Sequence, residues 1–310
     1  LGMAQQILAI VLETTDVFEA AGARLLAAAE RVGAIGQRVV ALSLLAQGAY
    51  RRLDIERARA LRDEVYRAID EHDIMINSVA VRNNLTLAER EIGNIDYAVR
   101  EWERAYQIAD GLRATSAMIC SLVNRAEVFV ENGKPLEGIA LARRVVEMVR
   151  KSGERRFMID AEMVLAQGFF ATGRRAEALQ IMKRVAVERE ETKSLRSLSN
   201  DLCILIESLV TANRKTDLPP YVAQLRELYS LGRERVTYPT RVCAALSAAC
   251  EALGDAAGAR RYRFEGKTVL EQMLEKLPDD GTRAGFALMN FNRYLMEPKA
   301  EKAAVGLNNR

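Results

Sequence analysis

The stretch NNLTLAEREIGNIDYAVREWERA, residues 83–105, returns forty residues later with the same skeleton as VNRAEVFVENGKPLEGIALARRV, residues 123–145. In each copy a glycine, Gly93 or Gly133, separates two segments whose apolar residues recur with helical spacing. A strand would need sustained alternation of β-branched and polar residues, and the sequence contains no such stretch. The sequence therefore predicts an array of helical hairpins.

Three rows of positions recur with this period of 40 residues. The first row, small in every copy, holds Ala58, Ala98, Gly138 and Ala178; the second, twelve residues earlier, holds Ala46, Thr86, Ala126 and Ala166. The third row, five residues before the first, holds Leu53, Gly93, Gly133 and Gly173. Two helices approach to about 8–10 Å only where small residues lie at their crossing. A glycine between them supplies the left-handed backbone that ends the first helix.

The rows predict an all-α fold, a right-handed α-solenoid of six to seven antiparallel helix pairs with a C-terminal capping helix. The predicted pairs are residues 3–31, 37–71, 74–110, 115–151, 155–190, 194–231 and 240–277. A single helix over 282–297 is expected to cover the last pair with Phe286, Phe291 and Leu295, leaving Arg283 and Asn292 in water. Such a cap is needed where no further repeat covers the apolar end. One continuous domain is predicted over 1–297, followed by a flexible tail at 298–310.

Composition narrows the classes of function. Lys and Arg total 45 against 42 for Asp and Glu, a net charge of +3 that gives no clustered basic field for nucleic acid or a membrane surface. No apolar run comes near the roughly 18 residues that span a bilayer. The cysteines lack any pairing or metal-ligand spacing, which favours a reducing, cytoplasmic location. They are Cys120, Cys203, Cys243 and Cys250.

Catalytic motifs are missing from the sequence. The chain has one histidine, His72, which lies between Glu71 and Asp73 in a polar segment typical of an exposed turn. No HExxH, GxSxG or GxxxxGK[ST] motif occurs. The sequence therefore predicts a protein that is not an enzyme and that holds no metal or cofactor.

The frame of small, glycine and small positions resembles the tetratricopeptide repeat, in the two stretches above and in LAQGFFATGRRAEALQIMKRV, residues 165–185. Two features depart from that family: the period is 40 rather than about 34 residues, and the proline that usually closes each repeat is missing. Longer repeats of this kind resemble those of kinesin-light-chain-type domains, bacterial quorum-peptide receptors and sensor regions of bacterial transcription regulators. The resemblance implies a module that binds a protein or a peptide.

In the resembling family, the first helices of the pairs line a concave groove. Asn84 and Asn124 lie one period apart on such helices, and their amides match the donors and acceptors of an extended peptide backbone. If these faces line the groove, its middle is mildly acidic and prefers a basic or neutral segment. The same face includes Gln47, Arg51, Leu87, Glu91, Glu127, Glu131 and Gln167.

Other interpretations remain open for these residues. The two asparagines could instead hold neighbouring hairpins together, and Asn83 is expected to be solvated. Trp102, the only tryptophan, is expected to pack in the core of its hairpin.

The leading functional hypothesis is the sensor or scaffold region of a larger bacterial signalling or regulatory protein. The alternative is a free-standing adaptor or chaperone-like scaffold. An RNA-binding helical-repeat protein is disfavoured, because no base-reading side chain recurs at one position in every copy.

Overall fold

The computed structural model describes residues 15–153 and 157–297, and within these ranges the chain forms fifteen α-helices and no β-strand. The helices are α1 Thr15–Val32, α2 Ile35–Arg51, α3 Ile55–Glu71, α4 Met75–Glu91, α5 Ile95–Gly111, α6 Thr115–Glu131, α7 Pro135–Ser152, α8 Met158–Ala171, α9 Arg175–Glu191, α10 Leu195–Thr211, α11 Leu218–Ser230, α12 Pro239–Ala252, α13 Ala256–Lys276, α14 Asp280–Leu288 and α15 Asn290–Met296.

Helices α2 to α13 form six consecutive pairs, each a first helix followed by a second helix that packs against it. Helix α1 packs on α2 and precedes the first complete pair. The predicted all-α solenoid of helix pairs is confirmed. The beginning of the predicted first pair, residues 3–14, and the predicted tail, residues 298–310, lie outside the described residues.

The turns between helices follow a strict rhythm. From 33 to 213, a residue with positive φ occurs at every twentieth position, since 20 residues make one helix and its turn. These residues are Gly33, Leu53, Asp73, Gly93, Arg113, Gly133, Gly153, Gly173, Lys193 and Asn213. The glycine row predicted from the sequence is therefore the turn within each pair, and Leu53 and Asn213 adopt the same left-handed conformation with φ of 59° and 53°.

The small rows lie where the two helices of a pair cross. All eight of their members are buried, and the seven that carry a side chain have no exposed area. A Cβ on Gly138 would lie 2.7 Å from the carbonyl oxygen of Ala126, its counterpart in the second row. Side-chain size at these positions sets how closely the helices of a hairpin can approach.

The C-terminal segment is two helices rather than the single helix predicted over 282–297. Asp279 caps α14 by accepting the N–H of Thr282 at 2.7 Å, so this helix begins earlier than predicted. The chain then breaks at Met289, where the Asn292 side chain donates to the carbonyl of Phe286 at 2.7 Å and satisfies a helix-end acceptor. The prediction that Asn292 faces water was wrong, because this side chain is buried.

The C-terminal helices do more than cover the last pair, because they reach the other end of the array. The backbone of α14 lies against the turn of the second complete pair, so that a Cβ on Gly93 would be 2.6 Å from the Cα of Phe286. Phe286 and Leu295 belong to one apolar cluster with Val39 and Leu85 of α2 and α4. The solenoid therefore closes on itself, and its concave side becomes a partly open cavity.

Candidate functional site

The concave side of the closed solenoid contains a cavity of about 320 Å³. Its wall comes from the first helices α2, α4, α6, α8 and α10, together with one residue of α9 and the segment that precedes α12. Because each first helix presents the same face at the same register, the helical repeat itself brings these side chains together. The polar lining includes Asn84, Glu91, Glu127, Asp160, Gln167, Arg189, Arg196 and Asp201.

Eight of the nine residues that the sequence predicted for the groove line this cavity. They are Gln47, Arg51, Asn84, Leu87, Glu91, Asn124, Glu127 and Gln167. The ninth, Glu131, is not part of the lining and forms ion pairs behind it with Arg90 and Arg241. The structure thus gathers the predicted residues around one space, and their role in binding stays a prediction.

The side-chain amides of the cavity differ in whether they are already engaged. Gln47 donates to the carbonyl of Ser43 in its own helix at 3.2 Å. Asn200 accepts a hydrogen bond from Arg241 at 3.0 Å, which fixes its side-chain oxygen. Asn124 makes a weak contact with the sulfur of Cys120 at 3.8 Å. These three amides have partners within the protein.

Two amides have donors to offer. Asn84 is exposed to the cavity and makes no hydrogen bond within the described residues. The side-chain nitrogen of Gln167 is buried and lacks a partner among the described residues. A buried amide donor without a partner costs about 1–3 kcal/mol, so a ligand carbonyl at this place would be stabilising. Asn84 on α4 and Gln167 on α8 are therefore the groups most ready to hold a ligand.

Arginines pair with the three predicted glutamates, which reduces the negative charge expected for the middle of the groove. Glu91 pairs with Arg196 at 3.0 Å, and Glu127 pairs with Arg90 at 2.8 Å. Glu131 accepts from the same arginine at 2.6 Å. Charged residues of the cavity wall balance, with four arginines, Arg51, Arg90, Arg189 and Arg196, against four carboxylates, Glu91, Glu127, Asp160 and Asp201.

Ion pairing holds this network in its charged form against the effect of burial. Burial alone would lower the pKa of Arg90, but Glu127 and Glu131 raise it well above its ordinary value. Burial alone would raise the pKa of Glu131, and the two arginines beside it, Arg90 and Arg241, lower it instead. Because both partners stay ionised, the network is a fixed part of the wall.

One part of the wall has more carboxylates than cations. Arg189 of α9 donates to Asp201 at 2.8 Å and also pairs with Asp160. Burial raises the pKa of Asp201 to about 7 although Arg189 opposes the shift, and the carboxylates of Asp160 and Glu127 add to it. Near neutral pH this carboxyl group therefore changes charge inside the cavity, and a bound cation would favour its ionised form.

Sequence reasoning missed the arginines that pair with the predicted glutamates, and it misplaced one asparagine. Arg196 and Arg241 lie outside the repeating rows, and their partners Glu91 and Glu131 are 105 and 110 residues away along the chain, so no local signal marks them. Asn83 was expected to be solvated, but it is buried and accepts the hydroxyl of Ser121 at 3.0 Å. This bond joins α4 to α6.

Trp102 is fully buried with Ala98 and Val128, which confirms that it packs in the core. Within 15–153 and 157–297, no helix is long and apolar enough to cross a bilayer.

The fold is similar to that of a Rap protein whose crystal structure was determined in complex with Competence and Sporulation Factor. The TM-score is 0.61 with 11% sequence identity, and the match covers 84% of this chain and 74% of that chain. Nearly identical TPR-like repeats of a Podospora anserina putative kinesin light chain match with a TM-score of 0.45 and 18% identity, covering 63% of this chain and 97% of theirs. No protein-family model and no curated protein matches the sequence.

The likeness to the Rap protein and the geometry of the helix pairs define the class of this chain. It is a tetratricopeptide-like α-solenoid with a period of 40 residues.

Proposed function

We propose that this solenoid binds an extended protein or peptide segment in its cavity. The proposal rests above all on the two amides that have no partner in the described structure, Asn84 and Gln167, which face one space from different first helices. An amide matches the N–H and C=O groups of a peptide backbone whatever the side chains are. The similar Rap protein was crystallised with Competence and Sporulation Factor, which fits a binding role for this architecture.

The charges of the wall favour a neutral or basic residue near α8 and α10. Asp160 and Asp201 share the guanidinium of Arg189, so two carboxyl groups contact one cation at this place, and that of Asp201 is only partly ionised near neutral pH. A lysine or arginine of the bound segment would complete the pairing. An acidic residue at the same place would meet two carboxylates and be rejected.

Two biological settings suit such a module. The first is a sensor or scaffold region within a larger bacterial signalling or regulatory protein, located in the cytoplasm. The second is a free-standing adaptor or chaperone-like scaffold. The reading frame that encodes the chain discriminates between them, because only the first setting requires an effector domain in the same polypeptide. The proposal assigns the cavity no catalytic step.

RNA is the less suitable ligand for this cavity. A groove that follows a nucleic-acid backbone needs a surplus of positive charge, whereas the arginines here are matched by carboxylates. Loss of binding with rising salt would be expected for RNA and not for a neutral peptide held by amides.

The test is selection from a display library of short random peptides, with the wild type and two double variants as baits. Asn84→Ala/Gln167→Ala removes both unpartnered amides. Gln107→Ala/Gln180→Ala is the matched control, because these amides lie on the second helices α5 and α9, away from the cavity. Thermal melts establish that all baits fold.

We expect the wild type and the control to enrich the same sequences, with basic or neutral residues preferred. The cavity variant should enrich none of them. If the cavity variant enriches the same peptides with equal affinity, the proposed site is wrong. Enrichment of acidic sequences would contradict the charge argument alone.

A further inference from the structure

We propose that the C-terminal helices α14 and α15 act as a clasp that gates the cavity, by closing the solenoid onto the turn at Gly93. The inference rests on the proposed function, since it concerns access to the same site. Its test measures access without any ligand, so that its failure is distinguishable from failure of peptide binding.

The first observation is a close backbone contact at the closure. A Cβ on Gly93 would overlap the backbone of Phe286, and a Cβ on Gly285 would overlap the carbonyl oxygen of Gly93. The turns at Gly133 and Gly173, one and two periods on, have nothing within 4 Å of the same position. The contact at Gly93 is therefore made by the clasp and is not a general feature of the repeat.

The second observation is a set of polar bonds that link α3 to the clasp. Arg59 donates to Asp279 at 2.9 Å and to Thr282 at 3.0 Å, at the start of α14. The same guanidinium donates to the buried carboxylate of Glu89 at 3.1 Å. Burial would raise the pKa of Glu89, but the bonds from Arg59, Tyr50 and Asn94 lower it. The clasp is therefore anchored on a charged group inside the N-terminal half.

The third observation explains why the clasp controls the cavity. The wall combines α2, α4, α6 and α8 with α10 and the segment at 237–238, so both halves of the array line the space. At about 320 Å³ the cavity lies at the lower end of the range for ligand sites, about 300–1,000 Å³. Separation of the two halves would widen it for a segment of more than a few residues.

The closure is held by apolar packing as well as by polar bonds. Phe286 of α14 and Leu295 of α15 share one buried cluster with Val39 of α2 and Leu85 of α4. A change that weakens this packing should therefore release the clasp more often and widen the way into the cavity.

The experiment measures how fast a thiol inside the cavity reacts. Asn84→Cys places that thiol on the wall. The background is Cys120→Ser, which removes the one native cysteine that is partly exposed. The probes are a small methanethiosulfonate and a bulky polymer-linked maleimide. Cys203, Cys243 and Cys250 are buried, and the Cys120→Ser parent that retains Asn84 measures their reaction.

Two alanine variants of α14 are expected to differ in their effect on the clasp. Gly285→Ala pushes the clasp off Gly93, whereas Gly281→Ala adds the same methyl group where it meets only the Asp279 side chain at 3.3 Å. Both gain helix propensity, so that gain cancels in the comparison. Phe286→Ala is a second way to weaken the clasp, with the exposed Phe264→Ala as its control.

The reference is the Asn84→Cys/Cys120→Ser protein with an unchanged clasp. We expect the bulky probe to label it roughly tenfold faster when Gly285→Ala or Phe286→Ala is added, which corresponds to about 1.4 kcal/mol of clasp stability. The small probe should label all variants at the reference rate, and both control variants should match the reference with either probe. If the bulky probe labels all variants at the reference rate while melts show them folded, the clasp does not gate the cavity. That result would leave the peptide selection to decide the proposed function by itself.

Discussion

Arg196 at the start of α10 donates to Glu91 at the end of α4 at 3.0 Å, although 105 residues separate the two along the chain. Both side chains line the cavity and are largely buried, so the pair links two walls of this space. In an open solenoid these helices would lie three repeats apart. The ion pair is therefore a direct consequence of closure.

A double-mutant cycle should detect this link. Glu91→Gln and Arg196→Gln each remove one charge, and we expect a coupling free energy on the order of 1 kcal/mol, because the pair is shielded from water. Urea unfolding followed by the fluorescence of Trp102 supplies the four free energies. The exposed pair Arg174–Glu177 is the control, with an expected coupling of about 0.3 kcal/mol. Equal coupling in the two cycles would mean that the walls are not held together in solution.

Alanine at two equivalent turns should have different costs. Gly93 and Gly173 have φ of 90° and 93°, so Gly→Ala strains the backbone alike, by about 1 kcal/mol. Only the methyl group at position 93 also overlaps Phe286, which should add roughly 1–3 kcal/mol. Chemical denaturation of the two variants measures the difference. A Gly93→Ala variant as stable as Gly173→Ala would place α14 away from this turn.

Alanine should change the free energy of unfolding in opposite directions at two helical glycines, one in the small row and one outside it. Gly138→Ala introduces a methyl group 2.7 Å from the carbonyl oxygen of Ala126, and we expect a loss of about 1–3 kcal/mol. Gly36 lies in α2 with nothing within 4 Å, so Gly36→Ala should gain about 0.5–1 kcal/mol from helix propensity. Unfolding free energies provide the check, and stabilisation by Gly138→Ala would refute the tight crossing.

Asp201 should make stability depend on pH. Burial raises its pKa to about 7 from an ordinary 3.8, so the native chain keeps a proton that the unfolded chain releases. A raised pKa gives a contribution to stability that is full below about pH 3.8 and is lost as the pH rises through 7. Relative to Asp201→Asn, we expect the wild type to gain on the order of 2 kcal/mol between about pH 8 and about pH 5.

The free energies of unfolding at the two pH values test this, with the exposed Asp110→Asn as the control variant. The control should follow the wild type at both. A wild-type and Asp201→Asn difference that does not change with pH would show that this carboxyl group titrates normally.

The repeat could be predicted from the sequence because its physical requirements are local. Two helices that cross closely need small residues, and a left-handed turn is easiest for glycine, so Ala98 and Gly133 mark their positions by type. The turns between pairs were harder to locate, since Asp73, Arg113 and Lys193 reach positive φ without being glycine. Arg113 and Lys193 give no sign of that conformation, and Asp73 gives only a weak one, because Asp adopts positive φ more often than most residues.

Closure could not be predicted, because its signals are ordinary when taken singly. Phe286 was expected to cover the last pair, and its sequence pattern suits that role as well as the contact it makes. The cavity face was predictable from the register of Asn84 and Gln167, whose helices repeat. The charges that balance this face could not be predicted, because Arg196 and Arg241 meet their partners only when the solenoid is closed.

Closure has a consequence for how this chain can evolve. An open array can gain or lose a repeat and still present a groove, so its length drifts freely. Here, one inserted unit of forty residues would carry Gly285 away from Gly93 and leave Phe286 without its place in the shared core. Deletion of one such unit would also displace Gly285 from Gly93. The number of helix pairs is therefore fixed by geometry, and insertions should be tolerated in turns away from the closure but not as whole repeats.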